Sequence, residues 1–143
     1  MSQLSRNFSE DEFKCPCLCD HGKMDLALVL MLEMVRKGVQ RLSGAGGTAI
    51  KVTSGIRCRE HNRMVKGASL KSWHVPRDGK CHAADITFWD QNLRTPENIL
   101  LLYFLADQAG AKGLGIYSNR IHMDTRKTLG NARWSHESWE NRD

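Results

Sequence analysis

Helical and strand-like stretches alternate along this chain, which predicts a fold of the mixed α and β class. Three observations carry that reading. Leu28, Leu32, Val35 and Val39 recur at three- and four-residue spacing within residues 25–42, the mark of an amphipathic helix. Thr95-Pro96-Glu97 opens a second helix with a capping residue, a proline at the first helical position and an acid in the first turn. Residues 49–53, 83–89, 113–117 and 120–125 read as short strands bounded by turn formers. With 143 residues, 41% of them apolar and 26% charged, the chain is long enough to bury a core as one domain, 1–143, without disulfide staples.

In chain order, Ser9 and Glu12 form a capping box flanked by a Phe8–Phe13 hydrophobic staple. Pro16 and Gly22 mark the following stretch as loop. The long helix then runs from Asp25 to Leu42, with Met31 and Met34 widening its apolar face and Lys37 and Arg41 facing water. Residues 43–48, rich in glycine, end it in a flexible turn. The strand at 49–53 alternates apolar and polar residues and delivers Ser54-Gly-Ile-Arg57 to its end, ahead of a short helix over 58–65. The second long helix buries Leu100, Leu101, Phe104 and Leu105 and stops at Gly110. Ser118-Asn119 turns one late strand into the next, and the tail, with Trp134 and Trp139, folds back over the sheet. The sequence holds no internal repeat and no linker that would split it.

Composition excludes several functions. The longest apolar run, Leu26 to Met34, is broken by Glu33 and too short to span a bilayer. The first dozen residues have no apolar core of a signal peptide, so the expectation is synthesis in a cytoplasm without conventional export. A net charge of +5 suits an anionic partner such as a cell wall or a nucleic acid, and suits plain solubility equally. Nucleic acid is set aside, because the cysteines and histidine at 15–21 lack finger-like pair spacing and no helix concentrates basic residues. Five cysteines, an odd number, read as thiols or ligands rather than a disulfide framework. Cys15, Cys17, Cys19 and His21 at every second position suggest a second metal site. Donors so closely strung share one face of an extended segment, however, and cannot readily surround a tetrahedral ion unless the fold brings in Cys58 or Cys81.

The stretch Ser72 to Asp85 concentrates the chemistry. It sets His74, His82 and Asp85 around a Pro/Gly turn, and later His122 and Asp124 stand two apart in a strand-like run. Imidazole and carboxylate suit zinc, and three protein ligands with a fourth position open to water make a catalytic rather than a structural site. If 83–85 is strand, His82 and Asp85 point to opposite faces. His122 and Asp124 point the same way, so Asp124 serves either as a general base or as an acceptor that fixes an imidazole. Ser72 reads as a turn former or hydrogen-bond partner, since no Ser-His-acid pattern accompanies it, and Trp73 as a cleft wall or core aromatic.

Four segments, Ser54-Gly-Ile-Arg57, Ser72-Trp-His74, Ala83-Ala-Asp85-Ile and Gly113-Leu-Gly-Ile-Tyr117 followed by Ile121-His-Met-Asp124, resemble in this order the zinc peptidases of the D-alanyl-D-alanine carboxypeptidase family. The likeness is closest to the small peptidoglycan-cutting members of bacteria and bacteriophages. It implies an α+β fold of the hedgehog/DD-peptidase type, in which a small antiparallel sheet carries one zinc ion on His74, Asp85 and His122 and helices pack on it. It also implies a substrate contact for Arg57, whose guanidinium fork suits a carboxylate or a developing oxyanion. The expected activity is hydrolysis of a peptide bond in peptidoglycan stem peptides or cross-links by a monomer, as in a phage endolysin held in the cytoplasm until release. The competing expectation is a zinc-containing wall-binding module of the same fold without catalysis. His74 and Asp85 stand eleven positions apart, farther than the family's usual spacing, and Cys81 takes the place of a glycine. A longer turn still closes on one ion at small extra entropic cost.

Overall fold

The computed structural model describes residues 2–19, 22–43 and 49–142. The expected turn at 44–48 and His21 lie outside these residues. In chain order the elements are β1 (Lys23–Met24), α1 (Leu26–Ser43), β2 (Ile50–Ser54), α2 (Arg59–Met64), β3 (Lys80–Cys81), β4 (Ala83–Phe88), α3 (Pro96–Ala109), β5 (Gly113–Ile116), β6 (Ile121–Asp124), β7 (Ala132–Ser135) and α4 (Glu137–Glu140). A 3-10 turn over Glu10–Phe13 precedes them, with the Glu12 carboxylate accepting the Ser9 backbone N–H at 2.8 Å and the Phe8 and Phe13 rings 6.1 Å apart.

The α+β architecture rests on a five-stranded sheet in the order β2-β4-β6-β5-β7. The pairs β2–β4, β4–β6 and β6–β5 are antiparallel, as the family resemblance implies. The tail does return to the sheet, and it does so as a parallel edge strand, β7 beside β5, which makes the sheet mixed. A separate parallel pair joins β1 to β3.

Period-two alternation assigns the two faces. Ala84, Ile86 and Phe88 of β4, Leu114 and Ile116 of β5, and Ile121 and Met123 of β6 join Leu28, Leu32 and Val35 of α1 in one apolar core. The intervening residues, Asp85, Gly113, Gly115, His122 and Asp124, occupy the other face. Helices α1 and α3 thus cover one side of the sheet and leave the second for chemistry.

Helix α3 starts as its sequence dictates, with Thr95 Oγ1 accepting the Asn98 N–H at 3.2 Å and Gly110 ending it in the left-handed region at φ +99°. Its buried face is Ile99, Leu102 and Ala106, whereas Leu100 and Phe104 are exposed and Leu101 and Leu105 only half-buried. The expected face was wrong because this helix is apolar nearly all round, so periodicity could not choose a side; packing on the sheet does. Met34 of α1, expected to widen its apolar face, is likewise exposed, as is Leu42 at its end.

Candidate metal and substrate site

Antiparallel pairing of β4 with β6 sets Asp85 opposite His122 and Ala83 opposite Asp124. The loop between α2 and β3 brings His74 to the same place. Its ring nitrogen Nε2 lies 3.2 Å from Asp85 Oδ1, and His122 Nδ1 lies 3.0 Å from the same oxygen. One donor atom from each of His74, Asp85 and His122 falls within 4.8 Å of the others, and all three residues are buried.

The far nitrogen of each imidazole is already engaged. His74 Nδ1–H donates to the Gly55 carbonyl at 2.7 Å, and His122 Nε2–H donates to Asp124 Oδ2 at 2.7 Å. Each acceptor fixes the proton on the outer nitrogen and leaves the inner lone pair turned toward Asp85, the tautomer a metal-ligating histidine needs. Two imidazole nitrogens and a carboxylate oxygen converging in this way fit zinc, which takes such donors in catalytic sites and keeps a further position open.

Electrostatics agree with that fit at His74 and Asp85, while the two carboxylates beside His122 favour its charged form until an ion takes the proton's place. Burial holds His74 below the ordinary imidazole range despite the pull of Asp85, with His122 and Arg57 adding to the effect, so His74 favours its neutral, ligating form. Burial opposes charging of His122, but hydrogen bonds to Asp124 and Asp85 raise it above that range. Burial likewise opposes ionisation of Asp85, and the charge of His74 with hydrogen bonds from both histidines holds its carboxyl far below the usual carboxylate range.

Asp124 is fully enclosed. Besides His122, its oxygens accept from Arg126: Nη2–H to Oδ2 at 2.7 Å, Nε–H to Oδ1 at 2.9 Å, and the backbone N–H to Oδ1 at 3.1 Å. Burial works against its ionisation, but these donors depress its carboxyl well below the usual range. Both oxygens are thus taken, and Asp124 does not line the cleft.

The cleft has a volume of about 500 Å³ and opens over the three buried donors. Arg57 lines it, with Nη2 3.5 Å from Asp85 Oδ2 and Nε–H donating to Ser54 Oγ at 3.0 Å. Ser72 and Trp73 also line it. Ser72 Oγ accepts the His74 N–H at 3.2 Å, the turn-forming role, and Trp73 carries the Arg77 guanidinium 3.5 Å above its ring. His82 sits elsewhere, with Nδ1 3.1 Å from Asp25 Oδ2 and 3.3 Å from Thr125 Oγ1.

Several cleft residues had no role in the sequence reading. Arg120 Nε lies 3.8 Å from Asp85 Oδ2, and Tyr117 stacks on His136 with centroids 4.7 Å apart. Trp134 of β7 lies against His122, centroids 5.1 Å apart, over Gly115, where a Cβ would collide with the indole. That glycine was the available signal, since a glycine inside a strand often marks close approach by a neighbour. Among the cysteines, Cys15, Cys17, Cys19 and Cys58 gather into a second group of possible metal donors, their sulfurs all within 4.8 Å of one another.

A family described as Peptidase M15 matches residues 6–124, a span that holds every residue of the His74–Asp85–His122 group and ends where β6 ends. No curated protein matches the chain.

Proposed function

The chain belongs to the Peptidase M15 family of zinc peptidases, and from that premise we propose that it hydrolyses a peptide bond in peptidoglycan stem peptides or their cross-links. The observation that carries the proposal is the convergence of His74, Asp85 and His122, with both outer imidazole nitrogens already bonded, at the floor of a basic cleft. Arg57, Lys66, Lys71, Arg120 and Arg126 line that cleft, and Asp85 is the one acid among the described lining residues. A substrate rich in carboxylates, as wall peptides are, suits such a surface.

His74, Asp85 and His122 would hold the zinc ion, which when bound acidifies water and polarises a carbonyl. Gly55 and Asp124 keep the two imidazoles in their ligating tautomers. Asp124, closed off from the cleft and saturated by Arg126, acts through His122 as a positioning residue rather than as the base. Arg57 and Arg120 converge on one side of Asp85, where Arg57 is set to receive a substrate carboxylate or the oxyanion that develops on the scissile carbonyl. Trp73 and Ser72 also line the cleft and would contact the peptide there.

We assign the whole of 1–143 to this one peptidase domain, working as a monomer and reaching the wall after release, in the manner of a phage lytic enzyme. No described helix is long and apolar enough to cross a membrane. The test is digestion of purified sacculi of several wall types with zinc supplied, reading released fragments by mass spectrometry. New amino and carboxyl termini that vanish in Asp85→Ala are expected. Zinc-loaded protein that binds sacculi and releases nothing from any of them would instead make this a wall-binding module.

A further inference from the structure

We propose that Cys15, Cys17, Cys19 and Cys58 form a second, structural zinc site, distinct from the site in the cleft. The four sulfurs form one connected cluster: Cys17 Sγ lies 3.3 Å from Cys15 Sγ, 2.9 Å from Cys19 Sγ and 3.5 Å from Cys58 Sγ. A tetrahedral ion with Zn–S bonds of about 2.3 Å separates its sulfurs by about 3.8 Å. The cluster reaches that size when these sulfurs move apart by about 0.3 to 0.9 Å, the most between Cys17 and Cys19.

The backbone shows how three closely strung cysteines reach one point. Leu18 adopts φ +59°, in the left-handed region, and its N–H donates to the Cys15 carbonyl at 2.9 Å. This tight turn breaks the extended geometry that would have put the three side chains on one face without enclosing anything. Such a backbone is costly for a leucine, and Leu18 is 82% exposed, so no burial of its own side chain offsets the cost. The convergence of the neighbouring sulfurs does offset it when they share an ion.

Apolar packing does not account for the cluster. Cys15 and Cys58 are buried, but Cys17 is exposed and Cys19 only partly covered. Thiols gathered for the core would not extend to the surface in this way. The two buried sulfurs also accept backbone N–H bonds, Cys15 Sγ from Cys58 at 3.4 Å and Cys58 Sγ from His61 at 3.3 Å. Amide donors of this kind stabilise thiolate and orient it, as the surroundings of a metal site do. Four cysteines, with no further donor grouped with them among the described residues, favour a closed tetrahedral site, and the composition of thiolates selects a soft or borderline ion. On binding, the thiols release their protons to solvent.

The position of Cys58 gives the site its purpose. It caps α2 and follows Arg57 directly, while Ile56 N–H donates to the Phe13 carbonyl at 2.8 Å. An ion on all four sulfurs would clamp the segment before β1 to the loop that supplies Gly55 and Arg57 to the cleft. It is a brace for the substrate arginine and for the carbonyl that orients His74.

The test is metal analysis of the full chain, purified with zinc present. Two zinc ions per chain are expected in the wild type, one in His122→Ala and one in the double variant Cys17→Ser/Cys19→Ser, whose side chains lie at the surface. A cobalt-substituted wild type is expected to show the intense near-ultraviolet sulfur-to-metal charge-transfer bands of a thiolate site, and His122→Ala is expected to keep them. One zinc in both the wild type and the double variant overturns the proposal. So does a cobalt spectrum without those bands, iron in place of zinc, or an intact mass showing the four cysteines paired as disulfides. Because the cobalt bands are read on the wild type, a double variant that fails to fold does not block the decision, and the His122→Ala arm separates this site from the one in the cleft.

Discussion

Replacing Asp124 by Asn separates a positioning role from a general-base role. Asn keeps one oxygen, and the Arg126 backbone N–H and Nε–H, which both meet Oδ1, hold it on their side. Its NH₂ group then faces His122 Nε2–H and Arg126 Nη2–H, two donors that Asp124 Oδ2 accepts at 2.7 Å each. Hydrogen bonds to charged groups are worth about 1.5–3 kcal/mol each, and breaking a buried pair by removing one partner costs about 3–5 kcal/mol. The zinc-free protein should therefore lose about 3–5 kcal/mol of stability, read by urea denaturation. Loss of the acceptor behind a ligating histidine lowers metal affinity about 10- to 100-fold, or about 1.4–2.7 kcal/mol. Zinc affinity from chelator competition, followed by turnover on a defined wall peptide at saturating zinc, checks both. The expected result is weaker zinc binding with most activity restored when zinc saturates. Unchanged zinc affinity with turnover down by about 100-fold or more at saturation would refute the positioning role and make Asp124 the base.

Three further outcomes follow from the same geometry. Gly113→Ala puts a Cβ onto the Asp124 carboxylate, which Arg126 and His122 hold in place; overpacking costs about 1–3 kcal/mol, and zinc retention in dialysis should fall with the thermal midpoint. Arg57→Ala should keep its zinc in the cleft while kcat/KM falls by about 100-fold, the loss typical of one oxyanion donor, and Arg57→Lys should not restore it because a lysine lacks the fork; a kcat/KM within threefold of wild type would remove Arg57 from substrate contact. The zinc-free protein should lose stability in acid: Asp85 and Asp124 have depressed carboxyls, so their contribution is present above the unfolded value of about 3.9 and is lost as pH falls through the folded values. Near the unfolded histidine value of about 6.5 the depressed His74 and the raised His122 act in opposite directions, so urea midpoints should drop mainly below about pH 5.

The sequence made the strands and the helix starts legible wherever a local pattern determined them. Thr95-Pro96 needs no tertiary help to begin a helix, and β4 to β6 differ from the expected strands by a residue or two at their ends. The face of α3 was not legible, because Leu100, Leu101, Phe104 and Leu105 are as apolar as the Ile99, Leu102 and Ala106 that the sheet in fact covers. Nor was β7: an alternation of Ala132, Arg133, Trp134 and Ser135 gives no sign that it will lie parallel to β5, since that depends on where the preceding turn returns the chain.

The candidate site divides along the same line. His74, Asp85 and His122 could be named from residue type and order, yet what makes them a set is register. Asp85 faces His122 across β4 and β6, Gly115 faces His122 across β5 and β6, and Trp134 stands beside Gly115 across β5 and β7. One row of the sheet therefore carries a carboxylate, an imidazole, a bare backbone and an indole side by side. The glycine is the hinge of that row: only without a side chain there can the indole descend onto the His122 ring. A one-residue slip of β6 would bury Met123 in the cleft and turn both His122 and Asp124 into the core, against the helices. The apolar alternation of Ile121 and Met123 therefore fixes the metal site as firmly as the donors themselves, because the same burial that holds the core in register holds His122 opposite Asp85.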